Sequence, residues 1–504
     1  MMCRMIHRNE ARWLVQTYRS MVWMIRNRWV RMHQAAFMPC DASSLAVFRM
    51  ALGLSISWFA WDTLASPSLN HDYIKPAIHL TFYGFDWVRP WPGHWMTLHF
   101  IVLLIASAGF TLGLCYRMSA IVMWFAFTHV FLIERTLYNN HYYLTSLLAG
   151  LSIFLPMQRV WSLDVLRTEG SASQTAPMWT VWLLRFQLSV VYFFGGIAKL
   201  DADWLAGQPM RMWLTAKADK SLFEVVAHSE WLVLAFVWGG LLIDLLAAPG
   251  LLWRRTRFLT MCVLTVFHLI NSQFFTIGFF PWLMMLANTI FFVPDWPRRL
   301  AGIPRFARSE TVSASYDLSP RHRLGTAAVM VFVVIQLVLP FRHLAYPGNP
   351  SWTEQGQLFA WRMMLRQKTT AIRFFGHDPG TGRQGVLDVR PFLNPRQMAA
   401  MSRDPDLIVQ FAQKLEEYHV RHGVPRLEIR VKAYVSLNGR KPQLLIDPAV
   451  DLTQVSRGER CASWILPLTE PLRHNAWDVP IDQWEKQIAP PQQSVSVPLQ
   501  RNTP

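Results

Sequence analysis

One stretch of the chain brings together residue types that could do chemistry. Residues 192–207 read YFFGGIAKLDADWLAG, an aromatic and apolar run that ends in two glycines, Lys199 and an Asp-x-Asp pair. A lysine where an apolar segment meets water is either an anchor, whose amine reaches the aqueous surface, or a base. It acts as a base only when its amine is neutral for part of the time, and burial favours that neutral form. The stretch therefore leaves two alternatives open for Lys199.

Other polar residues lie inside apolar segments. In a bilayer a polar side chain is energetically unfavourable, so it usually has a structural or functional role. They are Arg49, His99, His129, Arg185, Gln187, Asp244, His268, Asn271 and Gln273. For any single one of them, pairing between helices is the commoner role. Clustering is more informative, because YNNHYYL (138–144), GGIAKLDADW (195–204) and FHLINSQ (267–273) each fall at the end of an apolar segment.

The sequence predicts no metal site. At a helix end beside Lys199, Asp201 and Asp203 suit capping or charge balance better than metal binding. The five cysteines form no Cys-x-x-Cys pair and no metal-ligand spacing. They are Cys3, Cys40, Cys115, Cys262 and Cys461.

Composition indicates which elements must position these residues. Of the 504 residues, 52% are hydrophobic and only 16% are charged, and the chain contains 24 tryptophans, which concentrate at bilayer surfaces. The net charge of +17 does not indicate nucleic-acid binding, because the arginines lie between apolar segments. Nine segments approach the length that a bilayer requires. They are 44–61, 95–115, 119–133, 142–156, 177–198, 231–252, 258–273, 275–293 and 324–340.

Basic residues fall in alternate loops, as the positive-inside rule requires. They cluster before the first segment, at Arg117, at Arg159 and Arg167, at 254–257 and at 298–323. We therefore expect a cytoplasmic N-terminus, and an extracytoplasmic location for everything after about residue 341. The arginine-rich first 34 residues argue against a cleaved signal peptide. On this topology the three polar clusters converge at the outer side of the membrane.

After residue 341 the apolar runs stop and soluble patterns begin. Residues 427–437 alternate apolar and polar side chains before Asn438-Gly439, which predicts a β-hairpin. Apolar residues at helical spacing from Leu407 to Tyr418 predict a helix that ends near Gly423. We predict a polytopic α-helical membrane protein with about nine transmembrane helices and a mixed α/β extramembrane domain. The divisions are a basic cytoplasmic segment (1–43), a transmembrane domain (44–340), the outer domain (341–488) and a loose tail (489–504).

A set of segments carries a family resemblance. LYNNHYYL, GGIAKLDADWLAG, FHLINSQFFTIGFFPW and PDWPRRL occur in that order, followed by NPSWTEQGQLFAWRMML, FLNP and LIDPAVDL. Together they resemble the vitamin K-dependent γ-glutamyl carboxylase family, including its bacterial branch, from about residue 40 to about residue 470. The resemblance implies an enzyme that oxidises vitamin K hydroquinone to the epoxide with O2 and uses the strong base so formed to remove a γ-proton from glutamate. The carbanion then adds CO2.

The resemblance also implies site residues. The family's essential lysine matches Lys199, although the family often has a second lysine at the position of Ala198. His141 and Asn140 match a second essential residue and its neighbouring amide, which suit hydrogen bonds to a quinone oxygen. We predict that Met363, Met364, Trp361, His268 and Asn271 contact the quinone, with core packing as the alternative for the methionines. Animal enzymes usually have an acidic residue where this chain has Arg362.

Two functions of different class follow. The first is a vitamin K-dependent carboxylase of the bacterial inner membrane, whose partners are a quinone, the lipid bilayer and a glutamate-containing polypeptide. The alternative is a quinone- or lipid-binding membrane protein that retains the scaffold without carboxylation. Lys199, His141 and the segment after the last span favour the enzyme.

Overall fold

The computed structural model of the protein describes residues 34–167, 173–217, 229–275, 277–303, 320–458 and 462–488, with Met21, Trp23 and Arg31. The predicted loose tail (489–504) and most of the predicted basic N-terminal segment lie outside these described residues. Helices predominate, and the larger sheet lies in the C-terminal part.

The N-terminal part consists of helices and one small two-stranded sheet, in which β1 (Pro39–Asp41) pairs antiparallel with β2 (Thr175–Pro177). The longer helices are α1 (Ser43–Ala65), α2 (His94–Leu112), α3 (Tyr116–Ile133), α4 (Asn140–Ser152), α6 (Met178–Ala198), α9 (Glu230–Leu252), α10 (Arg257–Phe274) and α13 (Pro320–Val338). The shorter ones are α5 (Leu163–Arg167), α7 (Ala202–Leu205), α8 (Met210–Thr215), α11 (Phe280–Ala287) and α12 (Trp296–Leu300).

Among the residues that the structure describes, six helical segments are long and apolar enough to cross a membrane, fewer than the nine predicted. They are Ser43–Ala65, His94–Leu112, Tyr116–Ile133, Met178–Ala198, Glu230–Leu252 and Leu324–Ala345. The other three predicted segments are helical, but each is too short or too polar to count as a membrane-spanning helix. Helix α4 has 13 residues, about 20 Å at the α-helical rise, against a hydrocarbon core of about 30 Å. Helix α10 contains His268, Asn271 and Gln273, and α11 is extended only by a 3₁₀ turn at Asn288–Phe291.

The outward faces of the long helices are apolar. Trp58 on α1 is 52% exposed, Ile105 on α2 is 67% exposed and Leu246 on α9 is 58% exposed. Such surfaces are unfavourable in water and suit contact with lipid. Together with the six apolar helices, they identify a membrane protein.

Buried arginines in these helices pair with backbone carbonyls. Arg49 donates hydrogen bonds to the carbonyls of Met157 (2.8 Å) and Trp161 (2.5 Å). Arg185 donates to the carbonyls of Ile290 (3.0 Å) and Phe292 (2.9 Å). These arginines satisfy helix ends and loops, which agrees with the structural role predicted for most intramembrane polar residues.

The C-terminal part, residues 350–488, is here called the sheet domain. Its antiparallel sheet has the strand order β4-β3-β5-β6, and helices pack beside it. The strands are β3 (Lys368–His377), β4 (Gln384–Leu387), β5 (Glu428–Leu437) and β6 (Gln443–Leu444), and the helices are α14 (Pro350–Thr353), α15 (Pro395–Met401), α16 (Pro405–Arg421) and α17 (Trp484–Ile488).

The predicted hairpin and helix of this domain are confirmed. Strands β5 and β6 pair antiparallel around Asn438 and Gly439, whose φ angles of 52° and 76° suit a tight hairpin turn. Helix α16 is followed by Gly423, whose φ is 79°. The main partner of β5 is β3, with Lys368 opposite Leu437 and His377 opposite Glu428.

The sheet domain docks closely onto the membrane helices. Ile78 and Leu80, from the loop after α1, are part of its hydrophobic core. Arg135, just after α3, forms ion pairs with Asp404 and Asp406 at the start of α16. This junction lies at the same end of the bundle as Lys199.

Candidate active site

Lys199 is the residue that follows α6, and its amine is buried. The residue is only 5% exposed. Its Nζ lies 2.5 Å from Asp244 Oδ2 and 3.4 Å from the carbonyl oxygen of Gly195. It also lies 5.4 Å from the centre of the Trp204 ring. An anchoring lysine would extend its amine into water, whereas this amine is enclosed by protein.

Asp244 is the acidic partner of Lys199. It lies within α9, in an otherwise apolar stretch, and is 5% exposed. A carboxylate at such a depth requires a positive partner, and Lys199 provides it. The sequence showed Asp244 as a charged residue inside an apolar segment. It did not indicate that Lys199 is its partner, because the two residues are 45 positions apart.

Glycines allow α6 and α9 to approach closely enough for this pair. A Cβ atom on Gly196 would lie 2.7 Å from Leu245 Cδ2 and 2.9 Å from the backbone nitrogen of Leu245. A Cβ atom on Gly195 would lie 3.1 Å from Met363 Cε. The two glycines therefore permit close packing, of α6 against α9 at Gly196 and of α6 against Met363 at Gly195.

The Lys199 side chain lines a cavity of about 510 Å³. The walls come from α7, α8, α9 and α10, with Met364 from the sheet domain, and they include Trp204, Trp213, Phe236, Phe267 and Phe275. Among the lining residues, polar groups are few, chiefly Lys199 and Asn271. A mainly apolar cavity with few polar groups is typical of small-molecule sites, and its volume lies within the usual range of roughly 300–1,000 Å³.

The cavity brings together three of the predicted site residues, namely Lys199, Asn271 and Met364. Met363 is not among its lining residues and lies against Gly195. Trp361 is buried and packs on Tyr143, with ring centres 4.8 Å apart. Neither Met363 nor Trp361 therefore lines the cavity.

His268 is buried beside the cavity and belongs to a hydrogen-bonded chain. Its Nε2 lies 2.8 Å from the Tyr192 hydroxyl. The Asn288 side-chain amide donates to the same hydroxyl at 2.7 Å. This chain holds α10 against α6, and the neighbouring Phe267 contributes to the cavity wall.

His141 and Asn140 lie at the start of α4 and are not among the cavity-lining residues. The His141 ring stacks on Phe280 at 5.0 Å, and Phe280 contacts the edge of His268 at 6.4 Å. Asn140 Oδ1 accepts a hydrogen bond from the Tyr138 hydroxyl at 3.0 Å. The structure thus links His141 to the cavity wall through a series of rings, with no direct contact to Lys199.

The two aspartates after Lys199 have separate structural contacts. Asp201 Oδ1 accepts the backbone N–H of Asp203 at 3.0 Å and caps α7. Asp203 accepts two hydrogen bonds from Arg440, at 2.6 and 2.8 Å. The Asn438 amide also donates to Asp203, at 2.9 Å. The predicted roles in capping and charge balance are confirmed, and Asp203 fixes the β5-β6 hairpin beside the site.

Sequence reasoning missed Asp244 as the partner of Lys199 and missed the aromatic wall. Trp204 is five residues from Lys199 in the chain, and its position in the sequence gave no sign that its ring lines a cavity with that amine. Phe236, Phe267 and Phe275 lie in apolar runs, where an aromatic residue facing lipid and one facing a cavity look alike. Only the helix arrangement distinguishes them.

Comparison with known families agrees with this architecture. Residues 37–296 match the HTTM domain, and residues 321–471 match the lumenal domain of vitamin K-dependent gamma-carboxylase. No solved structure matches the chain. The two matched regions correspond to the helices that carry Lys199 and to most of the sheet domain that covers it. The chain therefore belongs to the vitamin K-dependent γ-carboxylase family.

Proposed function

We propose that the protein is a vitamin K-dependent γ-glutamyl carboxylase, which couples oxidation of vitamin K hydroquinone to the epoxide with carboxylation of glutamate side chains in a polypeptide. The observation that carries the proposal is the buried Lys199 amine in the wall of an apolar cavity of about 510 Å³. The cavity adjoins the sheet domain, since Met364 forms part of its wall.

The cavity suits a prenylated quinone. Its indole and phenyl walls match a planar aromatic ring and an apolar chain, while Lys199 and Asn271 supply polar groups for the ring oxygens. When bound, vitamin K hydroquinone supplies the reducing equivalents with which O2 forms the epoxide and the strong base needed for glutamate. No metal is proposed.

Lys199 is proposed to take the proton of the hydroquinone. Asp244 keeps its amine at a fixed position, 2.5 Å from the carboxylate. The two charges stabilise each other, and transfer of one proton from the ammonium group to the Asp244 carboxylate converts the pair to a neutral amine and a neutral acid. In that form the amine is free to accept a proton, which a solvated ammonium group cannot do.

His141 and Asn140 are proposed to stabilise negative charge that develops on the quinone oxygen. Because His141 stacks on Phe280, this role requires Phe280 to move or the quinone to enter beyond it. Met363, Trp361 and His268 are proposed to shape the cavity from behind, and Asn271 and Met364 to contact the quinone.

We also propose nine membrane crossings. One set of contacts joins loops at the arginine-rich end of the helices, which we assign to one side of the membrane. Strand β1 pairs with β2, Arg298 pairs with Asp41 at 2.8 Å, and Asp164 accepts the N–H of Cys115 at 2.8 Å. These contacts group the chain before α1 with the loops that follow α2, α4 and α11. The arginine-rich loops belong to this set.

A second set of contacts joins loops on the opposite side. It comprises Ile78 and Leu80 in the core of the sheet domain, Arg135 with Asp404 and Asp406, Asp203 with Arg440, and the Lys217 amine with the Gln273 carbonyl at 3.1 Å. Going along the chain, residues alternate between the two sets. Such an alternation is expected if the short segments α4, α10 and α11 cross as well, and it supports the proposal.

The proposed location follows from this topology. The arginine-rich side is cytoplasmic, and the sheet domain lies in the periplasm of a bacterial inner-membrane protein. The proposed divisions are residues 44–340 for the membrane domain and 341–488 for the outer domain, with segments 1–43 and 489–504 at either end.

An assay of membranes that contain the protein tests this function. They are incubated with reduced vitamin K, labelled bicarbonate and a Glu-rich peptide, with a peptide in which Gln replaces Glu as the matched control. We expect epoxide from the vitamin and label in the Glu peptide alone. Quinone binding without epoxide and without fixed label would support the scaffold-only alternative instead.

A further inference from the structure

The turn between β5 and β6 contains an asparagine whose side chain is fully buried. Hairpin turns ordinarily lie at the surface, and asparagine suits them because it tolerates a positive φ. Asn438 has a φ of 52°, but its exposed fraction is 0%. The turn therefore explains the backbone of Asn438 and does not explain why its amide is buried.

The Asn438 amide joins two segments that come from different parts of the chain. Its Nδ2 donates to Asp203 Oδ2 at 2.9 Å and to the carbonyl oxygen of Leu365 at 3.2 Å. Its Oδ1 accepts the backbone N–H of Gln367 at 2.8 Å. Both ends of the amide thus have partners, and one amide group sets the distance between Asp203 and residues 365–367.

Each of the two segments forms part of the wall of the Lys199 cavity. Trp204 directly follows Asp203, and the centre of its ring lies 5.4 Å from the Lys199 amine. Met364 directly precedes Leu365 and lines the same cavity. Trp204 and Leu365 are buried in one hydrophobic cluster, against which Met364 packs. Movement of either segment would therefore change the shape of the cavity next to the amine.

The segment that contains Met364 needs contacts from outside itself. Trp361 and Met364 have φ angles of 55° and 59°, in the left-handed region that is unfavourable for residues with a side chain. Such a conformation persists only where surrounding groups hold it. The hydrogen bond from Asn438 to the Leu365 carbonyl, one residue after Met364, is a contact of this kind.

We propose that Asn438 is a positioning residue of the quinone site. It is not among the residues that line the cavity, and it acts by holding Trp204 and Met364 at the separation that orients the quinone ring against the Lys199 amine. The inference rests on the proposed function, because it takes this cavity as the place where the quinone reacts. It gives the sheet domain a direct part in shaping a site whose base follows a membrane helix.

Two substitutions separate the amide of Asn438 from its role in the turn. Asn438→Gly keeps a positive φ and removes the whole amide. Asn438→Asp also tolerates this backbone conformation and retains an acceptor for the Gln367 N–H. However, it replaces the donor with a carboxylate oxygen that faces Asp203, and the two like charges repel.

Asn394→Gly is the matched control. The Asn394 side chain also accepts a backbone N–H, from Gln397 at 2.8 Å, and donates to a carbonyl of the membrane part, that of His71 at 2.9 Å. None of these three residues lines the Lys199 cavity. The control therefore weakens a contact between the sheet domain and the membrane part away from the site.

Three quantities are measured for each variant in detergent. They are the midpoint of thermal unfolding, the Kd for vitamin K quinone from quenching of tryptophan fluorescence, and kcat for epoxide formation from reduced vitamin K. For Asn438→Gly we expect kcat to fall roughly tenfold to a hundredfold, the effect of misplacing reacting groups by about 1 Å. The Kd should rise by roughly a few fold at most, because no group that contacts the quinone is removed.

The other variants should separate positioning from stability. Asn394→Gly should lower the unfolding midpoint and leave kcat and Kd at wild-type values. Asn438→Asp should lower kcat at least as much as Asn438→Gly does. The double variant of Asn438→Asp with Asp203→Asn restores a donor and an acceptor between the two positions, so it should recover part of kcat.

Three results would overturn the inference while leaving the proposed function intact. One is a wild-type kcat in Asn438→Gly, and another is an equal loss of kcat in Asn394→Gly. The third is a double variant no more active than Asn438→Asp, which decides the question even if Asn438→Gly does not fold. A wild-type protein that forms no epoxide would instead overturn the proposed function, and the inference with it.

Discussion

At the scale of individual residues, the buried Lys199–Asp244 pair is expected to have a large effect on the free energy of unfolding. Both side chains are buried, with a separation of 2.5 Å between Nζ and Oδ2. Removing one member of a buried pair leaves the other charge without compensation, at a cost of about 3–5 kcal/mol. Replacing both members by apolar residues removes two desolvation penalties and is often neutral for stability.

A double-mutant cycle checks this energetic account. We expect Asp244→Leu and Lys199→Met, each alone, to destabilise the protein by about 3–5 kcal/mol, and we expect the double variant to recover most of that loss. Thermal unfolding in detergent measures both effects. Additive losses in the double variant would show that the two side chains are not energetically coupled.

Glu354 in the sheet domain predicts a pH-dependent contribution to stability. Its carboxylate pairs with Lys368 and Arg366, each at 2.7 Å. Burial alone would raise the pKa of Glu354, but Arg366 and Lys368 outweigh burial, and the pKa lies below its usual value. The ionised carboxylate therefore favours the folded state above the usual glutamate pKa. This contribution is lost as the pH falls through the folded-state pKa.

We expect Glu354→Gln to be destabilising by about 3–5 kcal/mol at neutral pH, because Lys368 is left buried without its partner. The difference from wild type should shrink when the pH falls below the usual glutamate pKa of about 4.3. Unfolding measured across this pH range tests the prediction. A difference that stays constant with pH would rule out a role for the ionised carboxylate.

At the scale of elements, the contact between α6 and α9 depends on Gly196. Its missing side chain lets the two helices approach, and a Cβ atom would lie within 2.9 Å of the Leu245 backbone nitrogen. Backbone cannot move aside as a flexible side chain can. Any separation of these helices also moves Lys199 relative to Asp244.

We expect Gly196→Ala to cost about 1–3 kcal/mol of stability through overpacking and to lower the rate of epoxide formation. Gly325→Ala in α13 is the matched control, since a Cβ atom there meets nothing within 4 Å. Thermal unfolding and epoxide formation are measured for both variants. Equal stability and equal rates of epoxide formation in the two variants would show that α6 and α9 do not need a glycine at position 196.

The sequence predicted those elements that local patterns determine. The alternation of 427–437 and the Asn438-Gly439 turn predicted the β5-β6 hairpin, and the spacing from Leu407 to Tyr418 predicted α16. The pairing of β3 with β5 was not predictable, because about fifty residues separate the two strands and register depends on tertiary packing. The same reason hid Asp244 as the partner of Lys199, although each residue was singled out.

At the scale of the whole molecule, the proposed nine crossings differ from a topology that uses only the six long helices. With nine crossings, a reporter fused after residue 255 should be cytoplasmic, and one fused after residue 350 should be periplasmic. With six crossings both positions would be reversed. A reporter after residue 277 should be periplasmic in both topologies, and together with a cytoplasmic reporter after residue 255 it shows that α10 crosses the membrane. Phosphatase and fluorescent-protein fusions at the three positions measure this directly.

The proposed function of the whole molecule depends on the buried Lys199 amine as the base for oxidation of the hydroquinone. Arginine keeps the charge and reach of an anchor but cannot give up its proton at any usable pH. Alanine leaves a space that ammonia or methylamine can fill as a substitute base. His141→Ala should lose epoxidation and carboxylation without such rescue, since no amine replaces an imidazole.

The most direct test is epoxide formation by Lys199→Arg and by Lys199→Ala, with and without added methylamine, in membranes where quinone binding is confirmed. We expect no epoxide from Lys199→Arg, and none from Lys199→Ala until the amine restores part of the epoxidation and the carboxylation. Near-normal epoxide formation by Lys199→Arg would contradict the claim and assign Lys199 the role of an anchor.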